Sequence, residues 1–202
     1  MLDQFEHYDD ADVRDLISEY PLAWLLAADG KADHAAQLPL LGEYDDTGAL
    51  ESLFGHIPWR HPLVRALQQN GQVLVLFQGP HAYVSPGQVG IASWAPTWNF
   101  AQLSIEATLE FFPEETGSAL TTLVEFMERG RPAPWDVSAM GERYEMLATR
   151  VVGFRARVGR VVGRFKLGQD ERPEVRDTIM RSLGDTPLAR WMDRFAQKKI
   201  GA

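Results

Sequence analysis

Apolar and polar residues alternate along several stretches of the chain, and this alternation predicts β-strands. In the clearest stretch every second position is apolar: Leu103, Ile105, Ala107, Leu109 and Phe111. A strand's period of two places one such face in the core and the other in water. A second strand is predicted over residues 150–162, where apolar side chains alternate with Arg155 and Arg157. Shorter candidate strands cover residues 22–28, 32–40 and 50–56.

The run from Val73 to Leu76 is apolar at all four positions. Such a run predicts a strand that is buried on both faces, although a short helix fits the pattern too. Gly79 and Pro80 follow it and interrupt regular structure, because glycine tolerates positive φ and proline donates no N–H. Beyond them the chain alternates again, so Tyr83 is expected to lie on the face opposite Ala82.

Apolar residues at helical spacing predict helices between the strands. The predicted helices cover residues 9–19, 62–69, 138–148 and 173–183, and a last helix begins at Pro187. Another helix is predicted to begin at Pro113, to carry an apolar stripe from Leu120 to Met127 and to end before Gly130. The polar segment 86–96 contains glycine and is predicted to be a loop. Strands joined mostly as hairpins, with helices inserted between them, favour an α+β fold built on an antiparallel, Greek-key-like barrel with peripheral helices.

Residues 77–100 combine a buried approach with many polar and aromatic side chains, which is more typical of a binding site than of a core. The polar members are Gln78, His81, Tyr83, Ser85, Thr97 and Asn99, and the two tryptophans are Trp94 and Trp98. His81 could orient a ligand or cap a turn, and the pattern favours neither role.

Two motifs in this stretch, FQGPHAYVS at 77–85 and PTWNF at 96–100, resemble the PaiB-like FMN-binding negative transcriptional regulators. Further matches are Tyr20–Leu22, Gln37–Leu40, Gly55-His56, Pro62, Val152–Phe154 and Lys166-Leu167. The resemblance implies a split-barrel FMN-binding fold related to pyridoxamine-phosphate oxidase, usually dimeric with flavin at the subunit interface. We expect this domain to span residues 1–186 and a C-terminal helical tail to span residues 187–202.

If the chain binds FMN, as the resemblance implies, the site needs cations for the phosphate and aromatic walls for the ring. The candidate cofactor-binding residues are Gln78, His81, Tyr83, Ser85, Thr97, Trp98, Asn99, Lys166 and Gln169, with Arg160 and Arg164 as further sources of charge. The phosphate is expected near Lys166, and the ring against residues 77–83 and 97–99. The alternative is that Trp98 and Phe100 belong to the barrel core and the arginines form a solvated strand face.

The chain departs from the family pattern at four positions that bear on the site: Gln37, His61, Gly168 and Asp170. The family usually has a hydroxyl at the position of Gly168 and an amide at that of Asp170. If both positions face the phosphate, the lost hydroxyl and the added carboxylate should weaken anion binding. We therefore expect a low affinity for FMN.

The net charge of −8 divides unevenly along the chain. Residues 1–149 carry a net charge of −15, and residues 150–202 carry +7. A basic end can contact nucleic acid, but complementarity within the chain or between subunits is the interpretation we favour. Any DNA binding through Lys198 and Lys199 should be weak and salt-sensitive, because the acidic body repels phosphate.

The remaining composition excludes several kinds of chemistry. The chain has no cysteine, so disulfides and thiolate catalysis are excluded. The five histidines lack the spacing of metal ligands, and no phosphate-binding or nucleophile motif occurs, so no metal site is expected. A chain without a signal peptide or a long apolar span is predicted to be cytoplasmic.

The predicted function is that of an FMN-binding, oxidoreductase-like protein whose substrate and catalytic residues the sequence does not identify. One alternative is a transcriptional regulator with structural flavin or none. Another is a degenerate barrel that acts through protein contacts. A homodimer is also predicted, in which Arg155 and Arg157 could meet acidic residues of the partner.

Overall fold

The computed structural model of the protein describes residues 3–200. The strands of this part are β1 (Leu22–Ala27), β2 (Ala35–Pro39), β3 (Leu41–Tyr44), β4 (Leu50–Pro58), β5 (Gln72–Val84), β6 (Thr97–Phe111) and β7 (Val151–Lys166). Its α-helices are α1 (Asp10–Glu19), α2 (Pro62–Gln69), α3 (Pro86–Val89), α4 (Thr116–Glu128), α5 (Glu142–Ala148), α6 (Pro173–Leu183) and α7 (Pro187–Ile200).

The strands form one antiparallel sheet in the order β2-β1-β5-β6-β7-β4-β3. The two end strands, β2 and β3, are consecutive in the chain and only Leu40 separates them. The sheet must therefore bend until its two edges approach each other at this buried leucine. The edges do not pair into a closed ring within the described residues, so the barrel is split. The predicted α+β split-barrel fold is confirmed.

The chain divides into two compact units, which we call unit 1 and unit 2. Unit 1 comprises Met1–Asp9, Gln78–Leu103 and Val162–Ala202, and unit 2 comprises Asp10–Phe77 and Ser104–Val161. Strands β5, β6 and β7 are each divided between the units, with one part of the strand in unit 1 and the other part in unit 2. The predicted boundary between residues 186 and 187 stays a prediction.

In unit 2 the apolar run at residues 73–76 forms a strand, but the prediction that it is buried on both faces is wrong. Val73 and Val75 are buried, whereas Leu74 is 37% exposed. In the pairing of β1 with β5, Leu74 lies opposite Leu26 and Leu76 lies opposite Trp24. Trp24 is 47% exposed, so this face of the two strands is open and only the other face contributes to the core.

In unit 1 helix α7 supplies most of an aromatic core. The ring of Phe165 stacks on Trp191 at 5.9 Å and on Phe195 at 5.1 Å between centroids. Tyr8 packs against the same ring at 5.4 Å. Aromatic burial of this extent is a large apolar contribution to stability, so it fixes the end of β7 from which Lys166 and the turn after it project.

Several sequence predictions need local correction. Residues 32–34, predicted as strand, form a 3₁₀ turn before β2, and the helix predicted from Pro113 begins with a 3₁₀ turn over Pro113–Glu115 before α4. The segment 86–96 is not all loop, because its first four residues form α3. The strand predicted over 150–162 continues to Lys166. The helix predicted over 138–148 is interrupted at Gly141, whose φ of +54° breaks the helix into a 3₁₀ turn and α5.

Candidate functional site

Strand β5 changes the face that it exposes at Gly79 and Pro80. Gln78 is exposed, Gly79 and Pro80 are both buried, and His81 is exposed again. Two successive buried residues shift the alternation by one position, as a β-bulge does. Proline has no backbone N–H to donate, and it is tolerated at such a bulge because the regular pattern of strand hydrogen bonds is interrupted there. His81 and Tyr83 consequently lie on one open face of unit 1.

Trp98, on β6, completes an aromatic cluster with His81 and Tyr83. Its ring centroid lies 6.2 Å from that of His81 and 6.0 Å from that of Tyr83. Trp98 is 54% exposed and Tyr83 is 47% exposed. The alternative that placed Trp98 in the barrel core is therefore wrong for this residue, whereas Phe100 is half-buried. Exposed rings on adjoining strands form a surface on which a flat ligand can stack.

Lys166 and Thr97, two predicted site residues, are in direct contact. The Nζ of Lys166 donates a hydrogen bond to Thr97 Oγ1 over 2.5 Å. The same Nζ lies 3.8 Å from the Asp170 carboxylate and 5.8 Å from the Phe5 ring centroid. The carboxylate at Asp170 thus neutralises part of the charge that an anionic ligand would use.

Ser85 and Gln88 cap the start of α3. Gln88 N donates to Ser85 Oγ over 3.4 Å, and Ser85 N donates to Gln88 Oε1 over 2.8 Å. This reciprocal pair is a capping box, which stabilises a helix start. The binding role predicted for Ser85 stays a prediction, since its hydroxyl already accepts a bond within the chain.

Gln78, Asn99 and Gln169 also have partners inside unit 1. Gln78 Nε2 lies 3.4 Å from two carbonyl oxygens, and the buried Asn99 amide donates to Met192 Sδ over 3.6 Å. Gln169 braces the end of β7, because its Nε2 donates to Phe165 O and its Oε1 accepts from Leu167 N, both over 2.6 Å. Their roles in binding likewise stay predictions.

The two arginines predicted as further phosphate ligands are engaged by carboxylates. Arg164 Nη2 donates to Asp3 over 2.9 Å, and its Nη1 lies 3.8 Å from Glu6. Arg160, in unit 2, lies 3.9 Å from Glu106 and is well exposed. Both guanidinium groups therefore already have carboxylate neighbours within the chain.

Arg176, on α6, is a candidate that the sequence did not indicate. Its side chain is only 14% exposed, and within the described residues its buried Nε has no hydrogen-bond partner. The nearest carboxylate is that of Asp177, 3.9 Å from Nη2. An arginine in an amphipathic helix ordinarily indicates a solvated face, so no sequence signal distinguishes this one.

Gly168 explains how Arg176 reaches this position. The glycine has a φ of +84°, and a Cβ built on it would lie 3.2 Å from Arg176 Cγ and 3.1 Å from Met192 Cε. The aliphatic stem of Arg176 therefore packs on the backbone of the turn that follows Lys166. A side chain at residue 168 would crowd that stem.

Unit 2 has a groove of about 420 Å³, which we call the acidic groove. Its lining residues are Glu43, Glu51, Ser52, Thr108, Glu110, Phe112, Arg155 and Arg157. Arg155 donates to Glu43 over 2.6 and 3.0 Å, and to Glu115 over 3.0 Å. These bonds hold the pKa of Glu43 below and that of Arg155 above the usual values. Three glutamates outnumber the two arginines, and Arg155 is fully engaged while Arg157 lies 4.0 Å from Glu110, so the groove is unfavourable for a phosphate group.

The comparison with known families decides the assignment. Residues 1–160 match a family described as "Putative FMN-binding domain". The chain belongs to this family. The resemblance to PaiB-like proteins is thereby confirmed, as is FMN or a related flavin as the cofactor of the family. The match includes the aromatic cluster and ends before Lys166 and Arg176.

Among curated proteins, the chain is 28% identical over 156 residues to "Protease synthase and sporulation protein PAI 2" of Bacillus subtilis, covering 72% of each chain. It is also 28% identical over 158 residues to an uncharacterized protein of Aspergillus fumigatus, covering 59% of this chain and spanning 60% of that relative's length. The FAD and heme binding protein from Mycobacterium smegmatis shares the fold, with a TM-score of 0.57, 16% identity, and coverage of 81% of this chain and 74% of that one.

No helix among residues 3–200 is both long and apolar enough to cross a membrane.

Proposed function

We propose that this chain binds FMN on unit 1 and serves as a flavin-dependent oxidoreductase. The observation that carries the proposal is the aromatic cluster, which leaves about half of Trp98 and Tyr83 exposed. A planar isoalloxazine ring stacked there would remove this apolar surface from water. The contact between Lys166 and Thr97 supports a polar end to the same site.

The residues of unit 1 suit a flavin because they combine flat apolar rings with nearby cations. Trp98 and Tyr83 would hold the ring and exclude water from one of its faces. The imidazole of His81 and the hydroxyl of Tyr83 would lie at the ring edge, where a hydrogen bond orients the ligand and adjusts its electron affinity. Bound flavin would supply hydride or electron transfer. The residues of the chain would position the flavin, exclude water from its ring and provide positive charge for its phosphate.

An FMN titration followed by flavin fluorescence tests the binding. Quenching is expected for the wild-type protein, and Trp98→Ala should weaken binding about tenfold or more, because stacked rings are worth about 1–3 kcal/mol. Trp135→Ala is the matched control, since it removes another exposed tryptophan, in unit 2, and should leave the affinity unchanged. The absence of quenching by high-micromolar FMN, with folded protein, would contradict the proposal and favour the degenerate barrel.

Reduction of the bound flavin tests the oxidoreductase part. Under anaerobic conditions, NADH, NADPH or another donor should bleach the visible absorbance of the flavin, and an added acceptor should restore it. Flavin that binds but does not turn over with any donor would contradict the enzyme and favour the regulatory alternative.

The homodimer stays a prediction, and unit 2 offers a surface that supports it. Leu22, Trp24 and Leu74 are all more than one-third exposed on the open face of β1 and β5. An apolar strip of this kind is typical of a protein interface. Arg155 is a weaker basis for the interface, because its own chain already engages it. Sedimentation equilibrium at micromolar concentration should give twice 22.7 kDa, and a monomer mass would contradict the dimer.

That any DNA binding would be weak and salt-sensitive also stays a prediction. Lys198 is already paired with Asp9 over 2.7 Å, and the side chain of Lys199 lies outside the described part of the structure. This pairing reduces the charge that the C-terminal end can offer to phosphates. Tight sequence-specific retention in a gel shift with competitor DNA at physiological salt would contradict this view.

A further inference from the structure

Arg176 differs from the other basic side chains of unit 1 in how its charge is used. Arg164 and Lys166 contact carboxylates, and Arg190 lies 3.1 Å from Asp185. The guanidinium of Arg194 lies 5.2 Å from the ring centroid of Trp191. Arg176 is more buried than Arg164, Lys166 or Arg190, and yet its Nε has no partner within the described residues.

A buried guanidinium without a full set of acceptors is unfavourable, because the protein must remove it from water without replacing its hydrogen bonds. Asp177 does not repay this cost, since it lies 3.9 Å from Nη2 and more than half of its side chain is exposed. A planar guanidinium binds a phosphate through two parallel N–H···O bonds, and such charge-assisted bonds are about twice as strong as neutral ones. A phosphate that contacts the terminal Nη groups is therefore a ligand that would engage the charge of Arg176.

The position of Arg176 connects it to the flavin site. Its stem packs on Gly168, two residues after Lys166, in the turn where the resemblance implies an anion site. The glycine at 168 removes a hydroxyl from that turn and at the same time makes room for the arginine stem. Gly168 is thus compatible with anion binding, provided that the charge comes from Arg176.

We infer that Arg176 supplies the positive charge that binds the phosphate of the flavin, while Lys166 stays engaged with Thr97 and Asp170. This inference rests on the flavin function proposed above. It adds a phosphate-binding residue outside the part of the chain that matches the family. It also accounts for a buried cation that packing alone does not explain.

The test compares FMN with riboflavin, which lacks the phosphate. Fluorescence titrations of wild type, Arg176→Gln and Arg181→Gln give the ratio of the two dissociation constants for each protein. Arg181 is the matched control, because it lies on the same helix and is exposed. We expect Arg176→Gln to lower the preference for FMN about ten- to a hundredfold, with riboflavin affinity unchanged. Arg181→Gln should keep the wild-type preference.

Two further measurements separate a binding role from a structural one. Inorganic phosphate should compete with FMN but not with riboflavin in the wild type, and this competition should vanish in Arg176→Gln. Ligand-free Arg176→Gln should melt at the wild-type temperature or above it, because it removes a largely buried cation whose Nε has no partner within the described residues. If this variant does not fold, Arg176→Lys retains the charge without the planar fork and should lose part of the FMN preference.

The outcomes are distinguishable. If the wild type binds both flavins equally, or if Arg176→Gln keeps the full preference for FMN, this inference is wrong and the proposed function stands. If the folded wild type binds neither flavin, the proposed function is wrong and the inference is wrong with it.

Discussion

Arg155 in unit 2 and Arg176 in unit 1 show two ways in which a protein uses a partly buried arginine. Arg155 donates three hydrogen bonds to Glu43 and Glu115, and its ring neighbour Phe112 lies 5.6 Å from the guanidinium. Arg176 is less exposed than Arg155, but its Nε has no partner among the described residues.

The difference indicates which charge serves the fold and which serves a ligand. A satisfied cation contributes to stability, whereas an unsatisfied buried cation costs stability and persists where function requires it. The groove around Arg155 has a large volume and still offers little to an anion. Residual hydrogen-bonding capacity is therefore a better guide to an anion site than cavity size in this protein.

The largest effect is expected from Arg155→Met. This change leaves Glu43 and Glu115 without their cation, and charge-assisted bonds of this kind are worth about 1.5–3 kcal/mol each. Because these side chains are between one-third and one-half exposed, solvent screening reduces the expected loss to about 2 kcal/mol in all. Urea unfolding monitored by tryptophan fluorescence measures it.

Arg157→Met provides the control for that change. Arg157 is 76% exposed and lies 4.0 Å from Glu110, so its pair should contribute less than about 0.5 kcal/mol. Equal losses for the two variants would show that the network around Arg155 has no special role in stability.

The sequence predicted the fold well where local chemistry decides the outcome. Strand β6 is buried at Leu103, Ile105, Ala107 and Leu109 as predicted, although Phe111 at its end is only half-buried. Helices α2 and α6 begin at Pro62 and Pro173 as predicted. These positions depend on alternation, on proline at the first helical turn and on helix-ending residues. The family motifs supplied the split barrel, which local patterns alone did not specify.

The site was predictable only in part, because its details depend on tertiary packing. The motifs indicated Tyr83, Trp98, Lys166 and Thr97, and the structure brings Lys166 to Thr97 and Tyr83 to Trp98. The shift of face at Gly79-Pro80 could be suspected from those two residues but not assigned. Arg176 could not be predicted, because its burial follows from the way α6 and Met192 pack on Gly168.

A smaller effect is expected from Gly168→Ala, which tests the packing behind Arg176. A non-glycine residue in the left-handed region costs about 1–2 kcal/mol, and the new methyl group would also press on the stem of Arg176. Gly90→Ala is the control, because Gly90 is also left-handed, with a φ of +74° and a ψ of 17°, and a Cβ there meets nothing within 4 Å. Thermal unfolding should show the greater loss for Gly168→Ala. Similar losses of stability in the two variants would mean that Gly168 and the stem of Arg176 are not tightly packed.

The smallest effect concerns acid and sharpens the description of the Arg155 network. The pKa of Glu43 is lowered first by its hydrogen bond from Arg155 and further by one from Ser52. A carboxyl whose pKa is lower in the folded state binds more protons when unfolded. Its stabilising contribution is therefore complete above the ordinary value of 4.5 and is lost as the pH falls through the folded pKa.

Glu43→Gln should accordingly reduce stability at pH 7 by less than about 1 kcal/mol, and the difference from wild type should shrink as the pH falls below about 4. Urea midpoints measured between pH 7 and pH 3 follow this difference. Glu51→Gln, at an exposed position in the same groove, should run parallel to wild type throughout. If Glu43→Gln runs parallel to wild type as well, then the bond to Arg155 does not set the acid sensitivity. In that case the acidic groove would be a solvated surface. Arg155 would then no longer serve as the example of an arginine that stabilises the fold, against which Arg176 is compared.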